Sequence, residues 1–358
     1  MNDPSAAPEA AERRSRQLGM QLRALVVEHL DEPELDADVG GYPGGAALVA
    51  GDVAWVLIDG PAGRSLGGAL AWALRHDATE LHLVASADTG SLARRAARLR
   101  FPVTVWFAEG RTLLPAVAEP LAPADPPSPE HLALCELIEQ AGAVPNVEHG
   151  VVFGEVRGLE VCRVVDEPTV GHIAELGDVG LALDDGPEGR VDAVDRSITH
   201  LEVGVGANDR EAFRLLHGDI PTVEALAGVV DAVVAHRSDD APQHPLNRLG
   251  QERFLRWRLE QDPSLVGLAT VAPAQPPSPR PNLKDPIPCV AVGTDADGET
   301  VTVVCTFGVD LDVVGYVADV FETAPGRVVV AAPERDLLPI MRELLGQLSA
   351  PVDVVAVG

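Results

Sequence analysis

AALVAGDVAWVLID, residues 46 to 59, decides how the rest of the chain is read. Two short apolar runs flank Gly51 and Asp52. Runs of this length, rich in Val and broken by a glycine-containing pair, predict two strands joined by a hairpin turn. The pattern then alternates. SLGGALAWALRH (65–76) has helical spacing, with Ser65 placed as its cap. ELHLVA is a strand, DTGSLARRAARL a helix and PVTVWFA a strand. The order is ββαβαβ, and its two strand–helix–strand crossovers predict a locally parallel sheet.

The C-terminal end has the same order. PCVAVGT and TVTVVCTFG flank a turn at Asp297-Gly298, then come LDVVGYVADVFE, RVVVAA, ERDLLPIMRELLGQL and VDVVAV. Laid against 47–108, the elements of 289–357 match one for one, which suggests an internal repeat. Two proline-rich stretches, 111–129 and 272–288, both carry the string PPSP and read as semi-rigid spacers between domains. The chain therefore divides into a tail and helix (1–45), a first α/β unit (46–120), a central α/β unit (121–271), a connector (272–288) and a second α/β unit (289–358). Two or three domains is what 358 residues imply. The fold class is α/β: three subdomains, with two ββαβαβ-like units flanking a central mixed one.

Aromatic residues are only 4% of the chain, so its cores must be built from Val, Leu and Ala. The net charge of −28 opposes a broad contact with phosphate backbones, which needs a positive face. Lys284 is the only lysine. Arg in place of Lys, with much Ala, Gly and Pro, points to GC-rich bacterial coding. Cys135, Cys162, Cys289 and Cys305 form no CxxC pair, and three of them lie in apolar runs as small hydrophobes. A reducing, cytoplasmic setting is expected. The first residues lack a signal-peptide core, and no window reaches the roughly 18 apolar residues of a membrane span.

In the central unit, EHLALCELIEQ (130–140) reads as a helix capped by Ser128. VVFGEV and LEVCRVV follow as strands, then a strand near 179–183, and then RVDAV (190–194) and HLEVGVG (200–206). Helices at about 208–216 and 222–235 come next, then a charged helix in NRLGQERFLRWRLEQ. Asp192 and Glu202 thus fall on successive strands, with a helix before and a helix after. Leu201, Val203 and Val205 share one strand face; Glu202, Gly204 and Gly206 share the other. Glycines there let a backbone or ligand approach closely.

This order resembles the core of the PD-(D/E)xK nuclease superfamily. The resemblance covers about 130–235 and implies a restriction-endonuclease-like fold. It implies a Mg²⁺ site of Asp192, Glu202 and a helical acid, Glu130 or Glu136, with the metal polarising a phosphate and orienting water. The family's lysine, two residues after the Glu, is Gly204 here. Lys284, brought in from the connector segment RPNLKDP, is the residue that would replace it, giving a catalytic set of Asp192, Glu202 and Lys284.

Three further stretches carry charge or loop chemistry. DGPAGRSLGG (59–68) has the strand–loop–helix form that offers backbone N–H groups to an anion, although it lacks a P-loop's Gly-Lys-Ser/Thr. Arg210 and Arg214 share one helical face, placed to meet a ligand anion or, the favoured reading, to pair with nearby carboxylates. Arg248, Arg253, Arg256 and Arg258 with Trp257 offer charge and stacking to a nucleic acid; the favoured reading is that Leu249, Phe254, Leu255 and Leu259 dock the helix, leaving the arginines to neutralise an acidic body. The expected function is a non-catalytic interaction or regulatory protein on a degenerate nuclease-like core, without cofactor and with a protein partner. The alternative is a metal-dependent nuclease or phosphodiesterase acting on nucleic acid with Mg²⁺. No membrane partner is expected.

Overall fold

The computed structural model describes residues 6–60, 62–168, 197–207, 209–212, 221–238, 244–280, 282 and 285–358. Asp192, Lys284, Arg214 and the strands expected near 179–183 and 190–194 lie outside them. The chain is mixed α/β and forms two compact units: Met1–Pro123 with Gly250–Gly358, and Ala124–Leu249.

The first half of the larger unit runs α1 (Ala6–Leu30), β1 (Ala37–Tyr42), β2 (Gly45–Ala50), β3 (Val53–Ile58), α2 (Leu66–Arg75), β4 (Glu80–Ala85), α3 (Thr89–Ala96), β5 (Val103–Glu109) and β6 (Thr112–Pro115). Its sheet has the order β1-β2-β3-β4-β5-β6. The β2–β3 hairpin turns at Gly51, whose φ of +63° suits glycine. β3, β4 and β5 are parallel, joined by α2 and α3 as crossovers. Leu18, Leu22, Leu25 and Val26 place α1 on the outer face, against Leu48, Trp55, Leu57 and Val84. Each such fully buried side chain contributes about 1.5–3 kcal/mol. The sheet is wider than the sequence suggested, because β1 pairs with β2 and part of the first proline-rich spacer pairs with β5 as β6.

The smaller unit holds α4 (Pro129–Leu132), α5 (Cys135–Gln140), β7 (Val144–Glu148), β8 (Val151–Val156), β9 (Leu159–Pro168), β10 (Ser197–Val203) and α6 (Thr222–His236). Its four strands form an antiparallel meander, β10-β9-β8-β7. Ile138 of α5 and Leu226, Val230 and Val233 of α6 bury the face carrying Val152, Cys162, Val164 and Val203.

The second half of the larger unit runs α7 (Gln251–Gln261), β11 (Thr270–Pro273), β12 (Cys289–Thr294), β13 (Thr300–Cys305), α8 (Val313–Thr323), β14 (Arg327–Pro333), α9 (Pro339–Gly346) and β15 (Val352–Val357). Sheet order is β11-β12-β13-β14-β15, with β12–β13 an antiparallel hairpin and β13, β14 and β15 parallel. The chain therefore enters its second half at Gly250, not after residue 271. The cause is α7: Leu255 and Leu259 pack with Ala291, Val301 and Val303 of the second sheet.

The two halves pack together into one core, in which α2, α3, α8 and α9 lie between the sheets. They meet about a local two-fold. Leu99, four residues before β5, bridges antiparallel to Leu348, four residues before β15. Arg100 N–H donates to Gln347 O (2.6 Å) and Ser349 N–H to Arg98 O (2.8 Å). On α8, Asp319 is 1% exposed and accepts from both Arg94 (3.1 Å) and Arg95 (2.8 Å) of α3.

Asp312, just before α8, supplies a pH-dependent contact to the same interface. Its Oδ1 accepts from Gly67 N–H (3.0 Å) in the first turn of α2. Burial pushes its carboxyl up to about 6, with Asp310 adding to the effect. The folded state thus holds this proton at a pH where the unfolded chain has released it. The associated stability is complete below pH ~4 and lost as pH rises through about 6, up to about 3 kcal/mol. Asp312→Asn keeps an acceptor for Gly67 without the charge. Thermal melts should show the variant more stable than the parent at pH 7.5 and level with it near pH 4.

Candidate functional site

Glu202 lies on β10 and is paired in register with Arg163 of β9. Among the described residues, β9 is the neighbour of Glu202's strand; the 190–194 strand expected to pair with 200–206 lies outside them. Leu201, Val203 and Val205 pack toward the unit's core. The other face carries a chain of charges. Arg163 donates to Glu160 through Nε (2.8 Å) and Nη2 (2.9 Å). Arg210 donates from Nη1 to Glu160 Oε1 (3.0 Å) and from Nε to Glu202 Oε2 (3.3 Å). Glu160 is 2% exposed and Arg210 8%, whereas Glu202 retains 29% of its side-chain surface.

Local backbone geometry fixes Arg210 in that place. Gly204 has φ +136°, and its N–H donates to Val161 O (2.8 Å). Asp209 Oδ2 accepts from Val205 N–H (2.7 Å), which turns the chain into residues 209–212. A Cβ at 204 would stand 2.9 Å from Arg210 N and 3.0 Å from Asp209 Oδ2. The space cleared by glycine is thus filled by the protein's own next turn. At position 204 both the conformation and the room therefore favour glycine over any residue with a side chain.

Glu130, the expected helical ligand, is exposed in the first turn of α4, and Glu136 is exposed on α5. The residue of α4 that reaches the strands is His131. Ser128 caps its N–H (3.1 Å), and its Nε2 meets Asp166 Oδ2 of β9 (3.0 Å). Thr199 of β10 donates to the other Asp166 oxygen (2.5 Å). Thr199 first, then His131, hold the Asp166 carboxyl below its ordinary range. Sequence reasoning missed Glu160, Asp166 and His131. Glu160 had a signal, as a single acid inside the apolar strand run LEVCRVV.

Among the described residues no three His, Cys, Asp or Glu side chains are grouped as metal ligands. The 59–68 loop presents an N–H to an anion, and that anion is the Asp312 carboxylate; a Cβ at Gly67 would collide with Leu311 O. In α7, Leu255 and Leu259 dock as expected, but Arg253 and Arg256 are 3% and 1% exposed and lie inside the fold rather than over its surface. The connector's described residues are ordered on the larger unit: Asn282 and Asp285 bond each other, Arg280 pairs with Glu252, and Arg64 donates to Pro286 O (3.1 Å). Compared with family models, curated proteins and solved structures, the chain has no match in any of the three.

Proposed function

We propose that this is a non-catalytic interaction or regulatory protein, whose central unit is a degenerate relative of the PD-(D/E)xK nuclease core. The observation that carries the proposal is the Arg210 guanidinium on Glu202. In a nuclease that carboxylate would bind Mg²⁺. Here it accepts from a side chain that stays protonated at any physiological pH. A divalent ion at Glu202 would have to repel Arg210, which is itself held on the buried Glu160. Arginine can balance charge at this place but cannot exchange a proton as a lysine can.

A protein partner suits the net charge of −28, which opposes nucleic acid. No described helix is long and apolar enough to cross a membrane. Four unpaired cysteines support a cytoplasmic setting. The shared strand order and the local two-fold support descent of the two halves from one duplicated unit. The test of function is incubation of the purified chain with single- and double-stranded DNA and RNA, with Mg²⁺ or Mn²⁺. No cleavage above the protein-free rate is expected, and Glu202→Ala should change nothing. Metal-dependent cleavage lost in Glu202→Ala would overturn the proposal in favour of a nuclease.

A further inference from the structure

Two of the four cysteines face each other in the second sheet. Cys289 opens β12, Cys305 closes β13, and the register pairs them directly. Directly opposed residues of an antiparallel pair have Cα atoms about 4.5–5.5 Å apart. That range lies inside the window of about 4.4–6.8 Å that a disulfide spans. Both side chains are reduced thiols, 4% and 0% exposed.

Their surroundings are unusual for buried thiols. Cys289 Sγ lies 3.2 Å from Glu252 O in the first turn of α7. Arg253, Arg256 and Arg280, all nine-tenths buried or more, act on the same sulfur. The contrast with Cys162 is informative, since burial pushes that thiol up to about 12. At Cys289 burial also disfavours the thiolate. The hydrogen bond from Cys305 and the three guanidinium charges outweigh it, and hold the thiol below its ordinary value. Cys305 is held well above its own, by its hydrogen bond to Cys289 and by burial. Cys289 is the sulfur on which the three guanidiniums act, and Cys305 stands directly across the strand pair as its partner, which is the arrangement a two-cysteine redox site needs.

We infer that Cys289 and Cys305 form an oxidisable dithiol, which hydroperoxides convert to a cross-strand disulfide. The Cys289 thiolate attacks the peroxide O–O bond. An S–O bond forms, O–O breaks, and the leaving oxygen departs as water or alcohol with the thiol proton. Cys305 sulfur then attacks the resulting sulfenic acid: S–S forms, S–O breaks, and water leaves with the Cys305 proton. Two electrons pass from the two thiols to the peroxide. The route in is the first turn of α7. It covers Cys289. Opening of such a helix end admits a neutral molecule the size of water.

The test treats the full chain with hydrogen peroxide, quenches, unfolds, alkylates and reads each cysteine by mass spectrometry. Cys289 and Cys305 should escape alkylation together, on a peptide lighter by two hydrogens, and dithiothreitol should restore both. Cys162 should remain alkylated throughout. In Cys305→Ser, with folding checked by circular dichroism, the reaction should stop at a Cys289 sulfenic acid that dimedone traps. Two results overturn the proposal. One is Cys289 and Cys305 staying alkylatable under conditions that oxidise the more exposed Cys135. The other is Cys162 oxidising as fast as Cys289, which would mean general unfolding.

Discussion

Asp319→Ala is expected to lower the stability of the larger unit by about 3–5 kcal/mol, because it strands two buried guanidiniums. Arg94 and Arg95 retain 11% and 14% of their side-chain surface, and both direct nitrogens at this one carboxylate, which is 1% exposed. Their remaining bonds go to backbone carbonyls, Glu119 O and Gly63 O, which carry no full charge to balance them. A whole domain is stable by only about 5–15 kcal/mol, so the loss is a large fraction of the total. All four tryptophans, Trp55, Trp72, Trp106 and Trp257, belong to this unit. Urea titration followed by tryptophan fluorescence should show the transition midpoint fall sharply. An unchanged midpoint would mean that the α3–α8 ion pairs contribute nothing to holding the halves together.

Glu160→Ala should have the second large effect, again about 3–5 kcal/mol, but in the smaller unit. It removes the buried anion that Arg163 and Arg210 share. Glu202→Ala should cost only about 1 kcal/mol, since Glu202 is partly exposed and Arg210 keeps its bond to Glu160. The smaller unit contains neither Trp nor Tyr, so fluorescence does not report on it. Hydrogen exchange of amides in β8–β10 does. Faster exchange in Glu160→Ala than in Glu202→Ala is the expected order. The reverse order would mean that Glu202, not Glu160, anchors the charge chain.

The larger unit was the more legible part of the sequence. Its strands are continuous Val, Ala and Leu runs bounded by Gly-Asp or Asp-Gly turns, a pattern set by local propensity and burial on both faces. α6 was equally readable, expected at 222–235 and found at Thr222–His236. What was not legible depends on long-range pairing. β1, ADVGGY, has little strand propensity of its own and is a strand because β2 offers it an edge. α7 carries only Leu255 and Leu259 as buried apolar residues, which shows that it docks but not on which core. Arg210 was expected to pair with a carboxylate, yet Glu160 stands 50 residues away and no local rule connects them. The cysteine pair was within reach: a turn near Asp297 folds 289 directly onto 305. Of the expected site, Glu202 is on a defined face with a defined partner, while Asp192 and Lys284 fall outside the described residues.

The central claim is that Glu202 belongs to an ion-pair chain rather than to a metal centre. A crystal of the full chain soaked in Mn²⁺, with anomalous scattering recorded, tests it most directly. The account predicts no manganese bound by Glu202 and an Arg210 guanidinium still in hydrogen-bond contact with its carboxylate. A manganese ion shared by Glu202 and Asp192, with Arg210 displaced, would contradict it.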